Sequence, residues 1–325
     1  MRDLVTLPKA HLHLHLEGAM RLSTLEELAA GAGVPVPAVD SSSDFTAFIA
    51  LYVAASAVLT TSEALFRLFR EMAEDAAVDG AVWVEPHVDT TVHLGRLGRT
   101  HDEVFELFLA GAQAAEAATG VGVGLLMSAD RTLDPGIGVE QARLAASKAG
   151  EGVVAFGLAN NEAGHPPEPF AQAFAIACDA GLISAPHAGE LAGPESVRGA
   201  LEALAPRRLG HGVRAVEDPP LVTQLADAGI CCDVCPTSNL RLRMYPSIAE
   251  HPVGALLAAG VPVSLNADDP LMFGSGLVDE YQLVRDGLDL DDKAMATIAR
   301  TSIEYSGMPA HRRRAALAAV GTWLA

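Results

Sequence analysis

The sequence has few basic residues and no long uncharged apolar run. Its 325 residues include 22 Lys and Arg against 41 Asp and Glu, which gives a formal net charge of −19. Such a chain repels a phosphate backbone, so we exclude a polynucleotide partner. A membrane-spanning helix needs roughly 20 apolar residues, and a signal peptide needs an apolar core near the N-terminus. The sequence shows neither, and we therefore expect a cytoplasmic protein with no membrane partner.

Cysteine is also scarce, with four residues in the chain. Cys178 stands alone, whereas Cys231, Cys232 and Cys235 share the apolar segment GICCDVCP. This spacing suits neither a disulfide framework nor the paired CxxC units of a zinc ribbon. We interpret the three as buried thiols in a core strand, where Cys behaves as a small hydrophobe. A thiolate metal site is the alternative, and it would lack a second CxxC.

Half of the residues are hydrophobic and 19% are charged, which supports a large buried core. Short apolar runs alternate along the chain with helical stretches rich in Ala and Leu. This alternation is typical of βαβ units around a parallel sheet. Eight runs predict strands: 10–16, 81–88, 121–128, 153–158, 182–187, 208–211, 230–234 and 262–266. Eight such units predict an α/β fold, the (β/α)8 TIM barrel.

Extra helices are predicted between the first two strands and at the C-terminus. Ser23 and Glu26 have capping-box spacing and indicate a helix start. Residues 35–79 are too many for one crossover, and the serine loop at 41–43 and the stretch FTAFIALYVAASAVL predict helices that cover the barrel mouth. Because no linker or repeat divides the chain, we expect residues 1–325 to form one domain.

Polar side chains stand where several predicted strands end. In a strand, side chains alternate between faces, so His11, His13 and His15 are expected to point one way. His187 ends the fifth strand, and other strand ends carry the following residues: Glu190 just beyond the fifth strand, His211 at the end of the sixth, and Asp268 and Asp269 after the eighth. Barrels of this type carry their catalytic groups at the C-terminal ends of the strands. We therefore expect these side chains to meet in one cavity.

Imidazole and carboxylate are ligands that zinc prefers, and a catalytic zinc keeps a position open for water. Such a shell can come from His13, His15, His187 and Asp268. Glu190, His211 and Asp269 then remain for proton transfer. Each has an alternative interpretation: Glu190 as a solvated loop acid, His211 as a core histidine with its hydrogen bonds satisfied, and the Asp pair as the polar cap of a turn at Pro270. The three together favour a catalytic site.

Five segments carry a resemblance to a known family: LPKAHLHLHLEGAM, HAGE, GHG, CPTSN and SLNADDP. They resemble the adenosine deaminase family of metal-dependent amidohydrolases, in the family's order and over nearly the whole chain. The resemblance implies a (β/α)8 barrel that uses water to remove the 6-amino group of adenine-type purines as ammonia. It implies one divalent ion, Zn²⁺ first with iron as an alternative, bound by His13, His15, His187 and Asp268. His11 stands where relatives often carry Glu, so the resemblance does not make it a ligand.

The resemblance also implies roles in proton transfer and substrate binding. Glu190 would protonate the ring nitrogen beside the attacked carbon, and His211 and Asp269 would orient and deprotonate the water. Contacts to the substrate are implied for four residues: His15, Glu17, Asn160 and Asp269.

Two positions differ from adenosine-specific relatives. Glu17 replaces Asp in HLDG, and Asn160 replaces Gly in AGDE. We expect a 6-aminopurine nucleoside of the adenosine type as substrate, with free adenine or a modified adenosine as the alternative.

Two other classes of protein share parts of this pattern. A binuclear amidohydrolase needs a bridging carboxylated lysine after the fourth strand, whereas the lysines of this chain are Lys9, Lys148 and Lys293. A non-catalytic metal-binding barrel is expected to have lost a ligand or a proton carrier, and every one is present here. Both classes are therefore disfavoured.

Overall fold

The computed structural model describes residues 1–37 and 45–325, so the serine loop predicted at 41–43 lies outside the described residues. Every predicted strand run is found as β-structure, with ends shifted by a few residues and two runs interrupted. The described part of the chain has these strands: β1 Lys9–His15, β2 Ala81–Val88, β3 Gly122–Val123, β4 Leu125–Asp130, β5 Val153–Ala159, β6 Ile183–Ser184, β7 His187–Ala188, β8 Arg208–His211, β9 Cys231–Val234 and β10 Val263–Leu265.

The strands pair in parallel as β1-β2-β4-β5-β6 and as β7-β8-β9-β10, with β3 also beside β2. The first junction lies between β6 and β7. Ala185 N–H donates to Phe156 O at 2.9 Å, and Gly210 N–H donates to Pro186 O at 2.9 Å. The interrupted fifth run of the sequence therefore joins both sheets.

The second junction lies between the last strand and the first. Asp268 N–H donates to His13 O at 3.1 Å, and His15 N–H donates to Asp268 O at 2.9 Å. Asn266 Oδ1 accepts from the N–H groups of Leu12 and His13 at 2.7 and 3.1 Å. With both junctions joined, the strands form the (β/α)8 barrel that the sequence predicts.

Helices surround the barrel, as the alternating pattern predicts. Their bounds are as follows: α1 Leu22–Ala32, α2 Phe45–Ser56, α3 Ser62–Val78, α4 Leu94–Leu97, α5 His101–Thr119, α6 Pro135–Ser147, α7 Ala171–Asp179, α8 Pro194–Ala203, α9 Pro219–Ala228, α10 Pro236–Arg241, α11 Val253–Ala258, α12 Pro270–Phe273, α13 Leu277–Gly287, α14 Asp292–Tyr305 and α15 Ala310–Leu324. The extra helices between β1 and β2 are α1, α2 and α3. No helix in the described part of the chain is long and apolar enough to span a membrane.

The start of α1 differs from the prediction. The helix begins at Leu22 with Arg21 at the capping position, and Ser23 lies inside it. Arg21 Nη2 is 2.6 Å from Asp75 Oδ1 and 3.0 Å from Glu74 Oε2 on α3. A contact between two helices thus fixes this helix start in place of the expected capping box.

The C-terminal helices pack on the barrel beside β1. Helix α14 contacts β1 and β10, and Ser302 Oγ accepts from Ala10 N–H at 2.9 Å. On α15, Trp323 Nε1 donates to Asp3 O at 3.0 Å. The first and last segments of the chain therefore lie together.

The cysteine prediction is confirmed, because Cys231, Cys232 and Cys235 are buried free thiols on or next to β9. Burial raises the pKa of the Cys232 thiol to about 12.

Candidate active site

The strand ends bring the predicted residues together. His13 Nε2 and His15 Nε2 each lie 3.4 Å from Asp268 Oδ1. Each of His13, His15 and His187 offers a nitrogen within 4.8 Å of the others. These four side chains come from β1, β7 and the segment after β10, so closure of the barrel assembles the cluster.

His11 does not share the face of His13 and His15. Its Nε2 accepts from Ala267 N–H at 3.0 Å, and its side chain lines a separate cavity with Met72 and Asp79. The pairing of β1 with β2 shifts register between residues 11 and 14. The expectation that all three histidines point one way is therefore wrong, because this irregularity breaks the alternation.

Two glycines of the sequence motifs leave room for the cluster. A Cβ on Gly18 would lie 1.9 Å from Asp269 Oδ1, and a Cβ on Gly210 would lie 2.9 Å from His13 Cε1 and 3.1 Å from His187 Cγ. Because real Cβ atoms essentially never lie within 3.0 Å of atoms such as these, HLEG and GHG favour glycine at these positions.

The cluster suits a cation. Burial lowers the pKa of His15 to about 4 and that of His187 well below its usual value, so both rings are neutral. Burial alone would raise the pKa of Asp268, but His13 and the other nearby histidines hold it well below the usual range. Among the described residues, the buried His13 Nε2 has no hydrogen-bond partner. Neutral imidazoles with an ionised carboxylate match the donor set of a divalent metal ion.

A second grouping of possible ligands overlaps the first and contains His13, His211, Cys235 and Asp268. Burial raises the pKa of the Cys235 thiol well above its usual value. A thiol binds metal as the thiolate, so the site of three histidines and Asp268 is the better candidate.

Glu190 and Asp269 are poised to exchange protons. Burial, followed by the charge of Asp268, raises the pKa of each carboxyl group well above its usual range. A carboxyl group that keeps its proton near neutral pH can act as a general acid. His211 Nε2 lies 3.5 Å from Glu190 Oε1 and 3.8 Å from Asp268 Oδ2. The three candidates for proton transfer therefore border the metal cluster.

Backbone strain concentrates around this cavity. Six non-glycine residues in the described ranges have positive φ, and three of them are Asn160, His211 and Asp268, at 77°, 60° and 62°. Asn tolerates the left-handed region better than most residues, which fits Asn160 at the position where the family pattern has glycine. Asn160 lines the cavity, and its Nδ2 donates to Asp130 Oδ2 at 2.8 Å.

The sequence reasoning missed Glu162, which holds the loop that carries Glu190. Its carboxylate accepts from consecutive backbone N–H groups: Gly189 at 2.6 Å, Glu190 at 2.9 Å, Leu191 at 2.8 Å and Ala192 at 3.0 Å. Arg131 Nη2 donates to His187 O at 2.7 Å, and Arg131 Nη1 lies 4.0 Å from Glu162 Oε1. An acidic residue after a strand was the available signal.

His87 was also missed, although it nearly ends the second predicted strand as His187 ends the fifth. Its ring centroid lies 4.7 Å from that of His13 and 4.9 Å from that of His15. Burial lowers the pKa of His87 well below its usual value. The ring therefore supports the two neighbouring rings as a neutral side chain.

Glu17 is buried at the cavity wall with both oxygens engaged. Oε1 lies 2.6 Å from His93 Nε2, and Oε2 accepts from Tyr52 Oη at 2.5 Å. Burial alone would raise the pKa of Glu17, but His93 and Tyr52 lower it below its usual value. Neither partner was predicted from the sequence. The cavity has a volume of about 170 Å³, and helix α2 contributes an apolar wall with Phe45, Phe48, Ile49 and Val53.

Comparison with known proteins agrees with this geometry. The sequence profile of the family described as adenosine deaminase matches residues 8–323. A protein from Streptomyces coelicolor described as a putative adenosine/adenine deaminase is 43% identical over an alignment 340 positions long, which covers 100% of this chain and 98% of that protein.

Solved structures show the same architecture. The crystal structure of adenine deaminase from Arthrobacter aurescens matches with a TM-score of 0.90 and 31% identity, over 98% of this chain and 99% of that chain. An amidohydrolase from Burkholderia ambifaria with bound Zn matches with a TM-score of 0.90 and 25% identity, over 98% and 91%.

The fold and these matches define an enzyme, a hydrolytic deaminase that acts on carbon–nitrogen bonds. The chain belongs to the adenosine deaminase family.

Proposed function

We propose that the enzyme is zinc-dependent and hydrolyses the exocyclic 6-amino group of a 6-aminopurine, giving the 6-oxopurine and ammonia. The observation that carries this proposal is the carboxyl group of Glu190, which has a raised pKa and lies beside His211 and the ionised Asp268 at the cluster of histidines. His13, His15, His187 and Asp268 would hold the ion, and the Burkholderia ambifaria amidohydrolase with bound Zn supports zinc as its identity. We also propose that residues 1–325 act as one catalytic domain.

The side chains divide the work of the reaction. A bound zinc ion would lower the pKa of a water molecule and so favour hydroxide at neutral pH. Glu190 donates its proton to the ring nitrogen beside the amino-bearing carbon, which makes that carbon electrophilic. Asp269 and His211 face the same space and orient the attacking water through hydrogen bonds. Burial strengthens the hydrogen bonds that these side chains make during proton transfer, because bulk water does not compete for them.

The contacts of Glu17 favour free adenine as the substrate. The resemblance to adenosine-specific relatives implies that this position contacts the ribose 5′-hydroxyl of a nucleoside. His93 and Tyr52 already occupy both of its oxygens, so a ribose hydroxyl must displace an existing bond. The adenine deaminase from Arthrobacter aurescens supports the same preference. An adenosine-type nucleoside is the second candidate, favoured by the apolar wall of α2, which offers surface to a substituent on the purine.

A spectrophotometric screen with ammonia detection tests the proposal. Zinc-loaded enzyme would be assayed on adenine, adenosine, deoxyadenosine, 5′-modified adenosines and N6-substituted purines. We expect the highest kcat/KM on adenine, and turnover of any 6-aminopurine supports the reaction class. Failure on every 6-aminopurine, with a full equivalent of zinc bound, would reject it.

Shortening Glu17 tests its part in substrate choice. Glu17→Asp should break the contact with His93 or Tyr52 and shift kcat/KM toward nucleosides with a free 5′-hydroxyl, by roughly tenfold for a change of about 1.4 kcal/mol. Glu26→Asp, at an exposed position on α1, is the matched control. Unchanged ratios of kcat/KM between adenine and adenosine would remove Glu17 from the specificity site.

A further inference from the structure

Asn239 of the CPTSN segment lies buried between two histidine rings. Its Nδ2 is 3.3 Å from His211 Nδ1, and its Oδ1 is 3.1 Å from His251 Nε2. All three residues are at most 3% exposed. The proposed reaction gives no role to Asn239 or His251, although together they form a continuous chain of hydrogen bonds that ends at His211.

The donor and acceptor in each of these hydrogen bonds follow from the contacts of His251, the residue farthest from His211. Val253 N–H donates to His251 Nδ1 at 3.1 Å. A backbone amide can only donate, so His251 Nδ1 carries no proton and acts as the acceptor. Burial lowers the pKa of His251 to about 4, and the neutral ring then has its single proton on Nε2. This N–H donates to Asn239 Oδ1.

The orientation of the Asn239 amide determines which nitrogen of His211 accepts a hydrogen bond. With its oxygen turned to His251, its NH₂ group faces His211 and donates to His211 Nδ1. A neutral imidazole has one donor nitrogen and one acceptor nitrogen, so the remaining proton of His211 lies on Nε2. That nitrogen faces Glu190 Oε1 at 3.5 Å and Asp268 Oδ2 at 3.8 Å.

We infer that Asn239 and His251 are positioning residues that hold His211 in the tautomer with its proton on Nε2. His211 then presents an N–H donor to the cavity, and its acceptor nitrogen is occupied by Asn239. Resting on the proposed function, this arrangement divides the proton transfers. His211 orients an oxygen by donating a hydrogen bond, and it is not the base that accepts the proton of the attacking water.

The tautomer can be measured directly. Zinc-loaded protein with ¹⁵N-labelled histidine would be studied by two-bond ¹H–¹⁵N correlation, and His211 assigned by the signals lost in His211→Gln. We expect a protonated Nε2 and an unprotonated Nδ1. A protonated Nδ1 on His211 in the wild-type protein would overturn the inference, whatever the activity.

Replacement of Asn239 with Asp reverses the hydrogen bond. The carboxylate has two acceptor oxygens and no N–H, so His211 Nδ1 must donate to it. We expect the His211 signals to change to the Nδ1-protonated or doubly protonated pattern. Loss of such a supporting partner typically costs about 10–100-fold in activity, and we expect this loss in kcat with little change in KM. Unchanged signals and kcat in a folded Asn239→Asp protein would contradict the inference.

His251→Phe provides a second variant that adds no buried charge. It removes the donor to Asn239 Oδ1, so the amide can turn, and we expect a mixture of the two His211 tautomers with a smaller loss of kcat. Tyr245→Phe is the packing control, because the Tyr245 ring lies 5.1 Å from His251 and the change leaves the hydrogen-bond chain intact. If His211 has the same tautomer in His251→Phe and in the wild type, His251 is not a positioning residue.

The measurements separate this inference from the proposed function. An Nε2-protonated His211 in a protein that turns over no 6-aminopurine upholds the tautomer and rejects the function. Normal turnover of a 6-aminopurine with an Nδ1-protonated His211 upholds the function and rejects the tautomer.

Discussion

Two clusters of buried polar side chains lie inside the barrel, and they differ in how their charges are matched. In the lower cluster, Arg208 Nη1 lies 2.7 Å from Glu85 Oε2, and Arg208 Nε lies 3.0 Å from Asp233 Oδ2. Burial alone would lower the pKa of Arg208, but these two carboxylates raise it. In the upper cluster, at the barrel mouth, the ionised carboxylate of Asp268 faces His15 and His211, whose pKa values burial lowers to about 4 and about 3.

This difference separates a structural role from a catalytic one. Charges taken out of water need partners, and the lower cluster finds them within the protein. The upper cluster places an ionised carboxylate among neutral rings, so its charge is balanced when a cation binds. A buried charge whose neighbours are neutral is therefore the better marker of function.

The largest expected effect is loss of the metal from the upper cluster. His15→Ala removes one of four proposed ligands, and we expect metal loss by elemental analysis and deamination at the background rate. His11→Gln is the matched control, because His11 binds a backbone N–H outside the cluster. If His15→Ala kept a full equivalent of metal and His11→Gln lost it, His11 would be a metal ligand and His15 would not.

The next effect concerns proton donation at the mouth. Glu190→Gln keeps the shape of the side chain and loses its proton, so kcat should fall by at least about 10²-fold, as is typical of a lost general acid. Metal content and substrate binding should persist, and Glu195→Gln on α8 is the matched control. Turnover near that of the wild type, with the metal in place, would show that another group carries this proton.

Breaking the lower cluster should affect stability instead. Arg208→Met leaves Glu85 and Asp233 buried without their cation, and we expect a loss of about 3–5 kcal/mol in the free energy of unfolding. Urea titration measures this loss, while metal content and kcat of the folded fraction should stay near wild type. Adding Glu85→Gln and Asp233→Asn should recover part of the stability. If Arg208→Met lost the metal without losing stability, the lower cluster would not have a purely structural role.

The smallest effect is a pH dependence at Lys9, near the start of β1. Its ammonium group donates to Leu4 O and Leu7 O, and burial lowers its pKa to about 8. The unfolded value is about 10.4. Between these values the unfolded chain binds more protons, so this lysine makes stability rise with pH, by on the order of 1–3 kcal/mol.

Urea titrations of the wild type and Lys9→Met, from about pH 8 to about pH 10, measure this contribution. The wild type should gain stability relative to Lys9→Met across this window, whereas Lys293→Met, at an exposed lysine, should track the wild type. Parallel curves for wild type and Lys9→Met would show that Lys9 keeps its ordinary proton affinity.

Local patterns were enough to predict the barrel. Apolar runs separated by turn residues predicted the strands, and polar residues at their ends predicted which side chains meet in the cavity. The misses depend on contacts between distant segments. Glu162 binds backbone groups of residues 189–192, and Glu17 pairs with His93, which lies 76 residues further along the chain. The side chain of His11 points away from those of His13 and His15 because the pairing of β1 with β2 shifts register between residues 11 and 14. Strand alternation alone does not predict such a shift.

Asp268 joins the end of the barrel to its beginning, with its backbone bonded to His13 and His15 and its carboxylate facing their rings. The proposed ligands therefore come from opposite ends of the chain. A ribosome releases the N-terminal histidines early and Asp268 near the end of synthesis. Metal loading at the complete site must therefore follow translation of nearly the whole chain, and a truncated nascent product cannot retain the ion in this geometry.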